Sequence, residues 1–241
     1  ELLDKECDAI LMNGFEADFV PKGAKFTSGR KSARKRIFEV ANALTGHQFA
    51  DDTMIVATSG RYEFKNKGID VFIHAMRKCL DQAAGLQNEV LALIQVPGWV
   101  AGPRADLQER LQNPQIYDTA LANPVITHNL HETEHDQVLN LFRALDIVNH
   151  PESKVKVIFV PCYLDGADGI FQMPYYDLLS HNIVTGAHGA DAQSYNDFYE
   201  YKHYKESSSN HTWTFNDYSQ DTLEKLESKT VFFVHIEDVK Y

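Results

Sequence analysis

Short unbroken apolar runs alternate along this chain with stretches where apolar residues return every third or fourth position. The runs at 8–12, 54–58, 90–96 and 155–160 have the length and β-branched content of buried strands. Between them, residues 30–44 place Ala33, Ile37, Val40, Ala41 and Leu44 on one helical stripe, with Ser28 as the expected cap and Gly46 as the stop. Residues 69–80 form a second helix with Val71, Phe72, Ala75, Met76 and Leu80 on its stripe. Further on, residues 97–103 read as a loop, 104–111 as a short helix, 125–127 as a small strand and 133–145 as a helix beginning near Thr133. Pro174 is suited to open a last short helix over 174–179. Strands alternating with helices predict an α/β fold: a parallel sheet with helices on both faces, joined by right-handed crossovers.

Beyond about residue 180 the pattern weakens. Tyr195, Phe198, Tyr199, Tyr201, Tyr204, Trp213, Phe215 and Tyr218 crowd one polar stretch, followed by an expected helix over 219–226 and a strand over 230–235. We therefore expect one main domain over residues 1–180 and an aromatic-rich segment of unknown role over 181–241. The aromatic rings suit stacking on sugars, and equally suit ordinary packing.

Composition narrows the class. The 241 residues are 44% hydrophobic and 24% charged, which is ordinary for a globular chain and excludes collagenous, coiled-coil and low-complexity classes. No window holds the roughly eighteen apolar residues of a membrane span, and the first residues lack the layout of a signal peptide. Three scattered cysteines, Cys7, Cys79 and Cys162, suit a reducing compartment, so a cytoplasmic location is expected. The chain begins at Glu1 rather than Met, as a piece of a longer protein does. A net charge of −11 argues against nucleic acid as a partner. Its distribution is uneven: residues 1–80 carry 13 Lys and Arg against 11 Asp and Glu, whereas 81–182 carry 5 against 13.

The basic front contains the strongest chemical signal, the segment running from Ser59 to Gly68 between a strand and a helix. Arg61 offers a planar fork for paired phosphate oxygens and Lys67 a compact charge, while the helix start adds N–H groups and the positive end of its dipole. Gly60 and Gly68 allow the turns and close approach that a diphosphate would require. The same residues also fit a plain charged surface turn. A rival signal is His131-Glu-Thr-Glu-His135, the H-E-x-x-H spacing of a zinc hydrolase, in which a helix turns two imidazoles to one side and the glutamate acts as base. Crowding by Glu134 and Asp136 and the lack of a third ligand at the usual spacing weigh against it. Cys162 at a strand end reads as a buried thiol.

The run Gly60-Arg-Tyr-Glu-Phe-Lys-Asn-Lys-Gly-Ile-Asp-Val-Phe72 resembles the signature of the glycogen synthases of the fungal and animal type. Asn13-Gly-Phe-Glu16, Thr127-His-Asn129, Val155-Lys-Val-Ile-Phe159 and Pro174-Tyr-Tyr-Asp-Leu-Leu179 agree in the right order, so the resemblance spans roughly residues 8–180. It implies the C-terminal, nucleotide-sugar-binding lobe of a retaining glycosyltransferase built from two Rossmann-like lobes. By that resemblance Arg61 and Lys67 hold the diphosphate of UDP-glucose without a metal, Asn13 and Gly14 line the cleft between lobes, and an α-1,4-glucan accepts the glucose. It also implies no cofactor, no membrane partner and a possible homo-oligomer. The family's glutamate-bearing segment after the Pro174 motif has no counterpart here, and the acceptor-binding lobe is absent. The catalytic residues are therefore not identified, and a non-catalytic binding or scaffolding module is the alternative.

Overall fold

The computed structural model describes residues 23–178, apart from 176. The expected strand over 8–12, Asn13, Gly14 and everything from residue 179 onward lie outside the described residues.

Three fully parallel strands form the centre. Strands β1 (Met54–Ser59), β2 (Val90–Gln95) and β5 (Val155–Val160) pair in the order β1-β2-β5, with Met54 level with Val90 and Val155, and Ser59 level with Gln95 and Val160. Their near-continuous apolar sequences follow from burial on both faces. Ile55, Ala57, Leu91, Leu93, Ile158 and Val160 face helix α1 (Gly23–Thr45) and Leu107 of α3 (Ala105–Gln112). Val56, Ala92, Ile94, Val157 and Phe159 face α2 (Ile69–Asp81) and α4 (Gln137–Ala144). The α/β architecture with helices on both faces is thus as the sequence pattern requires.

Four details differ from that pattern. Helix α1 starts at Gly23, because buried Phe26 extends the apolar stripe backwards and Ser28 donates to the Lys25 carbonyl at 3.1 Å instead of capping. In α2 the buried stripe is Ile69, Phe72, Ile73 and Met76, the true i, i+3, i+4, i+7 set, which leaves Val71 and Ala75 exposed. Helix α4 begins at Gln137, since Asp136 Oδ1 accepts from Leu139 N at 2.9 Å and makes Asp136 the cap, not Thr133. Within the expected loop, Val100–Pro103 forms β3, paired antiparallel with β4 (His128–Leu130) across a register shift at Gly102. The expected strand over 125–127 survives as one parallel bridge, Ile126 to Phe159, with Phe159 N donating to Val125 O at 2.7 Å. Among the described residues no helix is long and apolar enough to cross a membrane.

Two buried polar side chains organise the outer side of β5. Asn149 adopts φ 56° and lays its amide along the strand: Nδ2 donates to Val157 O and Oδ1 accepts from Val157 N, both at 2.8 Å. Nδ2 also donates to Pro124 O at 2.8 Å, which ties in the 125–127 bridge. Lys156 lies in β5 with its ammonium donating to Pro151 O and Ser153 O. Burial pulls its pKa down to about 8, against the opposing pull of Glu89. A lysine depressed in the fold binds fewer protons there than in the unfolded chain, so its contribution raises stability as pH climbs from about 8 towards the ordinary lysine range near 10.5. Cys162, raised in the fold, acts in the opposite sense above the ordinary thiol range. We therefore expect the melting temperature of wild type minus that of Lys156→Met to increase between about pH 7.5 and pH 10; a flat difference would remove the buried ammonium as its cause.

Candidate functional site

The segment Gly60–Gly68 leaves the C-terminal end of β1 and delivers the chain to α2, at the edge of a parallel sheet where ligands of open α/β folds bind. Gly60 has φ 144°, a conformation other residues avoid, and a Cβ placed there would meet nothing within 4 Å among the described residues. Beyond it the loop is held by its own backbone: Glu63 N donates to Arg61 O at 2.7 Å, Lys67 N to Glu63 O at 2.9 Å and Gly68 N to Lys65 O at 3.0 Å. Gly68, left-handed at φ 61°, then turns the chain into α2. The sequence-predicted quartet Gly60, Arg61, Lys67 and Gly68 therefore sits on one short, backbone-braced loop.

Its cations are accessible. Arg61 is 77% exposed and its Nε donates to Glu63 Oε1 at 2.9 Å, an exposed pair that holds the guanidinium only weakly. Lys67 is half-buried and has no side-chain partner among the described residues. The α2 terminus offers less than its position suggests, because Ile69 N already donates to Phe64 O at 3.1 Å. The Asp70 carboxylate also occupies the first turn, paired with Lys65 Nζ at 2.6 Å. Arg61 and Lys67 are thus the groups left to neutralise a bound anion.

Three further residues shape the site without any signal in the sequence. Tyr62, beside Arg61, donates its hydroxyl to Asp136 Oδ2 at 2.8 Å and accepts from Val138 N at 3.0 Å, and its ring stands edge-on to Phe159. This clamps the cation loop to the start of α4, and burial raises the hydroxyl well above the usual tyrosine range. Ser59 Oγ shares a 2.6 Å hydrogen bond with Tyr175 OH. Gln95, level with Ser59 at the end of β2, is buried, and neither of its amide atoms meets a hydrogen-bond partner among the described residues.

The H-E-x-x-H segment does not form the helix its chemistry needs. Residues 131–135 lie in an irregular turn ahead of α4, where Glu132 Oε1 accepts from Glu134 N at 2.6 Å and from His135 N at 3.3 Å. The His131 ring packs against Trp99 instead. One other trio of ligand types comes together among the described residues: His128, Cys162 and Asp168, with ligand atoms within 4.8 Å of one another. His128 and Asp168 are already engaged in hydrogen bonds. His128 Nε2 meets the Asp168 carbonyl at 3.0 Å and must carry the hydrogen, leaving Nδ1 to accept from Thr127 Oγ1 at 2.9 Å. The Asp168 carboxylate accepts from Ile170 N, Phe171 N and Gln172 N. Burial, with Asp168 and Asp165 adding to it, pushes the Cys162 thiol up to about 12, so it stays protonated at neutral pH. Through these bonds His128 and Asp168 brace a turn.

Comparison with known proteins adds an independent line. Residues 115–208 match the family model of glycogen synthase, a stretch that contains β4, α4 and β5 and leaves the Gly60–Gly68 loop outside its bounds. The chain is 23% identical to the glycogen [starch] synthase of Neurospora crassa, over 78% of this chain and 34% of that protein. It is 24% identical to isoform 2 of the Saccharomyces cerevisiae enzyme, again over 78% and 34%. It is 23% identical to the human liver glycogen [starch] synthase, over 78% and 33%. It spans about a third of the length of these relatives. Along most of its length, therefore, this chain is similar to the glycogen synthases of fungi and animals.

Proposed function

We propose that this chain is the nucleotide-sugar-binding part of a glycogen synthase-like glycosyltransferase, taking glucose from UDP-glucose to the end of an α-1,4-glucan with retained configuration. The observation that carries this reading is the placement of Arg61 and Lys67 on one braced loop at the C-terminal edge of the sheet, in a chain similar to glycogen synthases. Bond cleavage at the sugar leaves a second negative charge on the terminal phosphate of the departing diphosphate. Two cations held beside that oxygen stabilise the charge as it grows, which is an electrostatic task requiring no metal in this proposal. The Arg61–Glu63 pair is exposed, so exchanging Glu63 for a phosphate costs little, whereas a forked guanidinium–phosphate contact is strong. Gly60 keeps side chains out of the ligand's approach. Residues 1–180 form the binding unit in this reading.

Calorimetric titration with UDP in the absence of metal tests it. Arg61→Ala and Lys67→Ala are each expected to weaken binding by about 1.5–3 kcal/mol, the contribution of a charged hydrogen bond, or roughly ten- to a hundredfold. Unchanged UDP affinity in both variants would remove their assigned role. A second reading, a module that binds the nucleotide sugar without catalysis, is favoured by the absence of the glutamate-bearing segment after residue 179. Transfer of labelled glucose from UDP-glucose to glycogen separates the two.

A further inference from the structure

Trp99 is 72% exposed on the turn between β2 and β3, at the same sheet edge as the Arg61 loop. The turn beneath it is fixed. Gly98 N donates to Pro161 O at 3.0 Å, Val100 N to Gly98 O at 3.0 Å, and His131 N to Trp99 O at 2.9 Å. The His131 ring lies against the indole with centroids 5.1 Å apart and planes inclined at 43°. Tyr163, 77% exposed, stands two residues beyond Pro161, on the loop to which Gly98 is bonded. Large rings left in water on a rigid base mark a contact surface whose ordering has been completed in advance.

The surroundings select the occupant. Exposed Glu132 and His135 border His131, and backbone donation from Glu134 N and His135 N holds the Glu132 carboxyl below the usual carboxylate range, so it remains an ionised acceptor. The exposed carboxylate of Glu132, next in the chain to the ring that lies against Trp99, disfavours a phosphate or nucleic acid as the occupant of the indole. A neutral pyranose fits both parts, presenting an apolar C–H face to the indole and a rim of hydroxyls that donate to carboxylate and exchange hydrogen bonds with imidazole. The patch is also continuous with the candidate site, since a Cβ on Gly98 would lie 3.7 Å from the Tyr62 ring.

We infer that Trp99, with His131 inclined against it, is a stacking platform for a pyranose ring of a neutral α-glucan beside the Arg61–Lys67 loop. The assignment rests on the proposed function for its choice of glucan, and on the exposed Trp99 ring with His131 against it for its location. Affinity electrophoresis of the whole 241-residue chain in gels with and without glycogen tests it, alongside calorimetric UDP titration of the same samples. Glycogen is expected to retard the wild type, Trp99→Ala to lose about tenfold or more in apparent glycogen affinity, and Trp99→Phe to keep most of it. UDP affinity should be equal in all three. Equal retardation of wild type and Trp99→Ala would overturn the platform, as would a wild type that binds UDP and ignores glycogen. Loss of UDP affinity in Trp99→Ala would assign the ring to the nucleobase and overturn it as well. Trp99-dependent retardation in a chain that binds no UDP would uphold the platform and reject the donor site.

Discussion

Replacing Arg104 by alanine is expected to destabilise the chain by about 3–5 kcal/mol, the cost of dismantling a buried charge network from one side. The guanidinium is buried and uses every face. It forks onto Asp106, Nε to Oδ1 at 3.0 Å and Nη2 to Oδ2 at 2.6 Å. It also donates to the carbonyls of Ala122, Asn123 and Ile126 at 2.6, 2.8 and 3.0 Å. The pair with Asp106 holds that carboxyl below the usual range, yet Asp106 is itself partly exposed and can return to water. The carbonyls are the larger loss, because they belong to the segment that leads into the bridge with Phe159 and the Ile126 oxygen has no access to solvent there. Lysine carries the charge without the fork, so Arg104→Lys should recover only a fraction. Urea unfolding of the three proteins measures this, and a loss below about 1 kcal/mol in Arg104→Ala would mean that the network is solvated.

The second large effect is steric. Gly46 ends α1 at φ 67° with its N–H donating to Asn42 O at 2.7 Å. A Cβ at this position would lie 2.3 Å from the carbonyl carbon of Thr119 and 2.6 Å from its N and O. The obstacle is backbone and it is pinned: Arg110 Nη1 donates to Thr119 O at 2.6 Å and to Ala43 O at 2.9 Å. Gly46→Ala is expected to cost about 2–4 kcal/mol, combining left-handed strain with the displaced segment. Gly23 provides the control. It has nearly the same φ, 59°, with nothing among the described residues within 4 Å of an added Cβ, so Gly23→Ala should lose only about 1 kcal/mol. Thermal melting that ranks the two variants equally would contradict the collision with Thr119.

The contrast between these residues explains what was legible in the sequence. Strands β1, β2 and β5 were readable because a central parallel strand is buried on both faces and leaves an unbroken apolar run. Gly46 was readable because a left-handed helix end selects glycine locally. Gly60 and Gly68 likewise announced turns that the structure contains, although nothing local specifies what the loop binds. Arg104, Asn149 and Tyr62 act through partners up to 76 positions away, and no spacing rule encodes such contacts. The start of α4 was misplaced for a related reason: Thr133 and Asp136 are both acceptable caps, and the Tyr62 hydroxyl on Asp136, 74 positions away, favours the second. The zinc motif failed because a two-histidine spacing has ligand geometry only on a helix, and Glu132 folds this stretch into a turn. Asn13, Gly14 and the tail lie outside the described residues.

The amide of Asn149 has a consequence for self-association. A bare outer strand offers its N–H and C=O groups as a template on which any passing strand can grow. Along β5 that template is already used, with Val157 saturated by the Asn149 side chain and Phe159 by Val125 and Thr127. Among the described residues, a left-handed asparagine therefore closes the β5 border at Val157, where a second copy of the chain would find no open ladder along which to zip.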